Sequence, residues 1–228
     1  MKLNFLENCE PETRQQFEQL GKVLTVPRGQ LCIRAREEIP GIYFILEGKV
    51  QIYNLTSCGK KKILFVLGKG QIANESLTKS LSSVFCETLE ACSFFVIRQK
   101  DLLTLMEKDF HLTQALFQYQ ERKIWRLEHQ LKNTVGSIFL ERKLAAKLWK
   151  LCRDFGVPTE EGLMIDIDLS ITFLSDFLGA PRETTSRICK RLADRGLIIM
   201  NKKRICIPNP DQVVFFYKTG TLKPKEKI

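Results

Sequence analysis

The chain has 228 residues, 44% hydrophobic and 27% charged, with a formal net charge of +10. That length suits two domains or one large one, and the balance excludes a disordered polymer. No apolar run approaches the ~20 residues of a membrane span, and acids and glutamines interrupt MKLNFLENCEPETRQQ before a signal peptide's apolar core could form; the expected location is the cytoplasm, with no membrane partner.

Residues 3–21 read as one or two short helices whose buried side is Phe5, Leu6, Phe17 and Leu20. From Lys22 the period changes. Val23-x-Thr25-x-Pro27, Gly29, Leu31-x-Ile33, Ile42–Leu46, Glu47-Gly48 and Val50-x-Ile52 are short runs punctuated by Gly and Pro, the pattern of antiparallel strands joined by tight turns. Ile63–Leu67, Gly68-Lys69-Gly70, Cys86–Leu89 and Phe94–Arg98 continue it. About eight strands in roughly 80 residues predict a closed or double-sheet β roll. Asp101–Lys108 then reads as a short helix.

From His111 to about Asn133 no Pro or Gly interrupts, and one long helix is predicted. Phe117, Ile124, Leu131 and Ile138 recur every seven residues, with Leu127 and Thr134 three beyond their neighbours. Such an a/d seam meets another helix or covers its own roll. Arg122, Lys123, Arg126 and Glu128 flank it, and Gly136-Ser137 is a candidate hinge. Leu144, Leu148 and Leu151 belong to a further helix ending near Gly156-Val157-Pro158, and Met164-Ile165-x-Ile167-x-Leu169 alternates as a strand. The fold class expected is α+β: an antiparallel β roll over 1–109, a long helix and hinge over 110–136, and a C-terminal domain over 137–228.

Residues 170–204, SITFLSDFLGAPRETTSRICKRLADRGLIIMNKKR, carry the sharpest signal. Ser170 is an N-cap for a helix holding Phe173, Leu174, Phe177 and Leu178, and Gly179 ends it. Pro181 starts a second helix, to about Arg195, with an apolar inner stripe at Thr185, Ile188 and Leu192. Arg182, Glu183, Ser186, Arg187 and Lys190 fall on the other side. That is a helix-turn-helix whose second helix offers donors and acceptors to a major groove; Leu197–Met200 and Arg204–Pro208 read as a β-hairpin wing with a basic tip. Between Ile171 and Arg204 stand eight Lys or Arg against three Asp or Glu. Up to Phe110 the chain has 15 basic and 13 acidic residues, and from His111 onward 21 and 13, so +8 of the net charge lies in the second part. A closing helix over Asp211–Tyr217 and a frayed tail over Thr219–Ile228 complete the chain.

The run LGAPRETTSRICKRLADRGLI closely resembles the winged helix-turn-helix of the Crp/Fnr family of bacterial transcription regulators. Leu178-Gly179, Arg182-Glu183-Thr184, Ser186-Arg187 and Leu192 before Gly196-Leu197-Ile198 all sit in family positions. Pro27-x-Gly29, Ile42–Val50 and Gly70-Gln71-Ile72 resemble the family's cyclic-nucleotide-binding roll, so the resemblance covers nearly the whole chain. It implies a homodimer on double-stranded DNA, paired through Phe117, Ile124, Leu127 and Leu131, with RNA polymerase as a further partner. Glu183, Ser186 and Arg187 would read bases in TTGA-like or TGTGA-like half-sites, with the TTGA type favoured by Ser186. Arg182 would reach phosphate or base, and Thr184, Lys202, Lys203 and Arg204 would hold the DNA backbone. Pro181 departs from the Ser or Thr usual there and donates no bond to phosphate.

The family's phosphate cassette is a Gly-Glu pair followed by Arg-Ser or Arg-Thr. Here Glu75 is kept, but Asn74 replaces the glycine and Ser82, before Ser83, stands where the arginine belongs. Losing the guanidinium removes charge and bidentate clamp together, against cyclic AMP as effector. Glu75, Ser82, Ser83 and Glu128, which with His129 falls near where relatives receive the nucleotide base, remain the effector-site candidates; the small-molecule effector and any cofactor stay unidentified. Cys9 stands alone where an iron–sulfur sensor needs four clustered cysteines, and His111 and His129 lie too late for a haem or a cupin metal in the roll. No Ser/His/Asp or paired-carboxylate constellation points to an enzyme. The eight cysteines form no Cys-x-x-Cys pair and are expected reduced, most of them as small core residues. The alternatives are a small-molecule sensor or regulatory subunit that binds no DNA, and a redox-sensing variant reacting at Cys58 or Cys9.

Overall fold

The computed structural model describes residues 3–132 and 140–224, with the side chains of 131 and 132 left aside. The predicted hinge Gly136-Ser137 and the seam positions Thr134 and Ile138 lie outside the described residues, as does the side chain of Leu131. The chain divides into two compact units, Met1–Glu128 and His129–Ile228.

The first unit opens with a 3-10 turn at Asn4–Leu6 and helix α1 (Pro11–Leu20). Seven strands follow: β1 (Lys22–Val26), β2 (Leu31–Ile33), β3 (Ile42–Glu47), β4 (Val50–Leu55), β5 (Lys61–Leu67), β6 (Phe85–Thr88) and β7 (Cys92–Ile97). They form antiparallel sheets ordered β1-β7-β3 and β2-β6-β4-β5. Among the described residues no eighth strand of the roll forms; Ile72 makes an isolated bridge to Phe44. The apolar runs on β3 and β7 serve two cores. Tyr43, Ile45, Phe94 and Val96 join β4, β5 and β6 residues in one cluster, while Ile42, Phe44, Phe95 and Ile97 pack with α1 and the following helices in another. A strand buried on both faces needs no polar alternate, which is why these runs are continuous. Gly21 fits here because a Cβ at that position would come within 2.0 Å of the Phe95 ring. Leu20, expected on the buried side, is exposed: it is the last residue of α1, where the chain turns away into β1.

Helices α2 (Gln99–Lys108) and α3 (Phe110–Lys132) follow. Asp109 between them is buried and ties three segments together. Its carboxylate accepts from the backbone N–H of Glu10 (2.9 Å), His111 (2.9 Å) and Leu112 (3.3 Å). One face of α3 packs on the roll through Leu112, Leu116 and Tyr119, whose hydroxyl bonds both N–H and C=O of Ile72. The other face is bare. Phe110, Phe117 and Ile124 are 73%, 67% and 56% exposed at seven-residue spacing, with Leu127 38% exposed. The seam therefore does not cover its own roll.

The second unit comprises α4 (Leu140–Phe155), β8 (Gly156–Thr159), β9 (Gly162–Ile165), α5 (Ile171–Leu178), α6 (Arg182–Asp194), β10 (Ile199–Asn201), β11 (Arg204–Ile207) and α7 (Pro210–Thr219). Its sheet runs β10-β11-β9-β8. Strand β8 was hidden in sequence because Gly156 and Pro158 read as helix-ending signals; it pairs with β9 from the edge, where proline is tolerated. The last turn of α7 is closed by Arg142, whose guanidinium donates to the carbonyls of Tyr217 (2.9 Å) and Lys218. Of the tail expected to fray, Lys223 is tied to the Gln212 side chain and 225–228 lie outside the described residues. No helix among the described residues is long and apolar enough to cross a membrane.

Candidate nucleic-acid interface

The turn between α5 and α6 is fixed by local chemistry. Ser170 Oγ accepts from Phe173 N–H (3.1 Å), and Gly179 ends α5 at φ 77°, a left-handed conformation that costs a glycine little. Pro181 occupies the N-cap of α6 and supplies no side-chain bond there. Its carbonyl instead accepts from both the backbone N–H (2.9 Å) and the hydroxyl (3.1 Å) of Thr185. Thr185, Ile188, Cys189 and Leu192 are buried, which fixes the rotation of α6 about its own axis.

That rotation turns Arg182, Glu183, Ser186, Arg187 and Lys190 outward, all exposed. Among the described residues their side chains enter no ion pair or hydrogen bond. The basic residues at the end of α6 and just past it are treated differently: Glu141 on α4 pairs with Arg191 and, at 3.2 Å, with Arg195. Thr184, half-buried, stands between the two faces.

The wing shows the same division. Lys202 at φ 54° turns the β10–β11 hairpin, and Lys202 and Lys203 are exposed at its tip without side-chain bonds among the described residues. Arg204, grouped with them on sequence, is held inward: its guanidinium lies 2.8 Å from Asp166 and 3.6 Å from Asp168. The carbonyl of Lys203 accepts from Leu169 N–H (2.7 Å), anchoring the tip beside the start of α5. Acidic partners so far away in the sequence give no local signal of this sorting.

In the first unit the cassette positions are closed on themselves. Asn74 is buried; its Oδ1 accepts from Tyr43 N–H (2.8 Å) and its Nδ2 donates to Gly41 O (3.0 Å). Ser82, also buried, donates to Val84 O (2.8 Å) and accepts from Val84 N–H (3.1 Å). The Glu75 carboxylate accepts from both the backbone N–H and the hydroxyl of Ser83. Glu128 is exposed on α3 and bonds to none of them among the described residues. Lys123, read on sequence only as flanking the seam, leaves α3 to donate to Asn74 O (2.8 Å). Burial brings its pKa down to about 8, against the opposing effects of Glu75 and Cys86. Of the two thiols singled out on sequence, Cys58 is exposed. Cys9 is buried, and burial, then Asp109, push its pKa up to about 11 against the pull of Arg14. Burial removes Cys9 as a reactive thiol.

Comparison with known proteins matches residues 23–109 to the cyclic nucleotide-binding domain and residues 142–213 to the Crp-like helix-turn-helix domain. The chain is 28% identical over 212 residues to a probable transcriptional regulator flp of Lacticaseibacillus casei, covering 92% of this chain and 94% of that one. It is 25% identical over 185 residues to the cAMP-activated global transcriptional regulator CRP of Haemophilus influenzae, covering 79% and 81%. In fold it is similar to FixK2 from Bradyrhizobium japonicum, with a TM-score of 0.75 at 17% identity over 86% of this chain and 96% of that one.

Proposed function

The chain belongs to the Crp/Fnr family of DNA-binding transcription regulators, and we propose that it acts as an effector-gated homodimer on a palindromic site with TTGA-like or TGTGA-like half-sites. The observation that carries this reading is the exposed set Arg182, Glu183, Ser186, Arg187 and Lys190, unbonded among the described residues, on a helix whose other face is locked in the core. On this reading Glu183, Ser186 and Arg187 meet base edges, Arg182 meets base or phosphate, and Thr184, Lys202 and Lys203 hold phosphates. Arg204 supports the wing through Asp166 and Asp168 and contributes to DNA at second hand.

Dimerisation through α3 is supported by the bare stripe of Phe117, Ile124 and Leu127, with Leu131 next in the sequence repeat. Two copies joined there would present recognition helices to successive major grooves, ~34 Å apart on a palindrome. The sensor over 1–109, the helix over 110–136 and the output domain over 137–228 then divide the work, with RNA polymerase as the downstream partner in the cytoplasm. The closed cassette at Asn74, Glu75, Ser82 and Ser83 argues for an effector other than cyclic AMP.

Retardation of DNA fragments carrying a TTGA palindrome tests the reading. Wild type should shift the palindrome ahead of a scrambled fragment, and Arg187→Ala should lose roughly 1–3 kcal/mol and blur one base position. Equal affinity for palindrome and scramble would favour a regulatory subunit without sequence-specific output. Unchanged affinity in Arg187→Ala would remove that residue from base reading.

A further inference from the structure

Strands β2 and β6 do not pair evenly. Leu31 faces Glu87, yet Ile33 faces Cys86, so two steps along β2 match one step along β6. Cys32 is the extra residue of a β-bulge. In an even ladder Cys32 and Ile33 would point to opposite faces. At the bulge both oppose Cys86, and Cys32 packs against the same interior cluster that holds Ile33, Cys86 and Cys92. The bulge residue stands beside the residue opposite Cys86, and a disulfide needs ~4.4–6.8 Å between Cα atoms.

The two thiols are unlike. Cys86 is buried and Cys32 only half-buried, so a small oxidant can reach Cys32 first. The neighbouring Cys86 thiol lowers the Cys32 pKa against the effect of burial, while Cys32 Sγ donates to Gln30 O at 3.9 Å. The proximity of Cys32, then burial, raises that of Cys86. A more acidic, accessible thiol beside a protonated, sheltered one is the arrangement of an attacking and a resolving cysteine.

Cys92 and Cys58 lack this pairing. Cys92 donates to Lys49 O (3.3 Å) and Glu90 O (3.4 Å), and its pKa is pushed up to about 11, chiefly by burial. Cys58 is exposed, with Ser57 as its neighbour at 3.9 Å. Among the described residues no three His, Cys, Asp or Glu could together hold a metal ion, which leaves thiol chemistry rather than metal ligation for the pair.

We propose that Cys32 and Cys86 form an oxidation site inside the β roll, closing to an intrachain disulfide when hydrogen peroxide enters. The Cys32 thiolate attacks one peroxide oxygen, the O–O bond breaks, and hydroxide leaves to take up the proton that Cys32 had released. The sulfur is then a sulfenic acid. The Cys86 sulfur attacks it, the S–S bond forms as the S–O bond breaks, and the Cys86 proton leaves with the hydroxyl group as water. The two thiols lose two electrons together, and peroxide is reduced to two waters. The bond would lock β2 to the strand that follows the cassette. Use of the bond as input to a transcription switch rests on the function proposed above; its formation does not.

The test reads the bond alone. Purified full-length protein is treated with hydrogen peroxide, its free thiols are alkylated, and it is digested with trypsin without reductant. Mass spectrometry should find peptide 29–34, which holds Cys32, joined to peptide 80–98, which holds Cys86 and Cys92. The joined species should persist in Cys92→Ser and vanish in Cys32→Ser, and in Cys86→Ala dimedone should mark Cys32. Recovery of peptide 29–34 fully alkylated from oxidised wild type would overturn the proposal. So would linkage of Cys32 to Cys58, to Cys92 or to a second chain.

Discussion

In the loop from Asn74 to Ser83, the side chains at the cassette positions bond inward: Asn74 to Tyr43 and Gly41, Ser82 to Val84, Glu75 to Ser83. On α6, Arg182, Glu183, Ser186, Arg187 and Lys190 face water and bond to nothing among the described residues. The loop has little choice, since a buried polar group left without a partner costs about 1–3 kcal/mol. The helix does have a choice, because water serves its exposed groups, and a DNA partner meets donors that need not first be freed from the protein. Substitutions in the closed set should therefore appear in stability, and substitutions in the open set in association. A residue that crossed this line would break the comparison.

The largest effect belongs to the open apolar stripe of α3. In Phe117→Asp/Ile124→Asp, closing a helix–helix seam would desolvate carboxylates with no partner, at several kcal/mol. Sedimentation should show a monomer, and retardation of the palindrome should fall by two orders of magnitude or more while circular dichroism stays unchanged. A variant that remained dimeric would move the dimer interface elsewhere.

Asp109 tests the closed set. Asp109→Ala strands the N–H groups of Glu10, His111 and Leu112 and should cost about 2–3 kcal/mol in denaturant unfolding. Burial raises the Asp109 pKa, but bonds from Glu10, Thr13, Leu112 and His111 outweigh it and hold the carboxyl below its ordinary value. Its contribution is thus full above the unfolded pKa of ~3.9 and is lost as pH falls through the lower folded value. Wild type should lose stability along that acid limb, and Asp109→Asn should flatten it. Next in size, Asn74→Ala removes both bonds that join the loop to Tyr43 and Gly41 and should cost about 1–3 kcal/mol with DNA affinity unchanged in the folded protein. Weaker DNA binding without lost stability would place Asn74 in the open set.

The helix-turn-helix was legible because its signals are local: Ser170 caps, Gly179 turns, and the buried stripe repeats at helical spacing. The roll was legible from its turns, but not its strand count, because Ile72 can either pair or merely bridge with the same residues around it. What the sequence could not sort was which polar groups are already engaged. Arg187 and Arg191 lie four apart on one helix, and only Glu141, far back on α4, makes them different. Asn74 read as a lost glycine, whereas its amide bridges two backbone groups of another segment. Cys32 and Cys86 lie 54 positions apart in the sequence, and only the bulge at Cys32, next to the Ile33 that pairs with Cys86, brings them together.

The smallest effects give the finest cut, within a single hairpin. Lys203 is exposed at the wing tip with no side-chain bond among the described residues, and Arg204, one residue on, is spread between Asp166 and Asp168. Lys203→Ala should weaken binding to all sequences alike and reduce the slope of log K against log salt by about one, the signature of one lost phosphate contact. Arg204→Gln should leave that slope nearly unchanged, because its charge is already offset within the protein. Its cost should appear instead in thermal unfolding, at roughly 0.2–1 kcal/mol, since the pair is partly exposed and screened by solvent. Equal salt slopes in the two variants would mean that Arg204 leaves its carboxylates for DNA, and that an ion pair in the free protein does not mark a residue as closed.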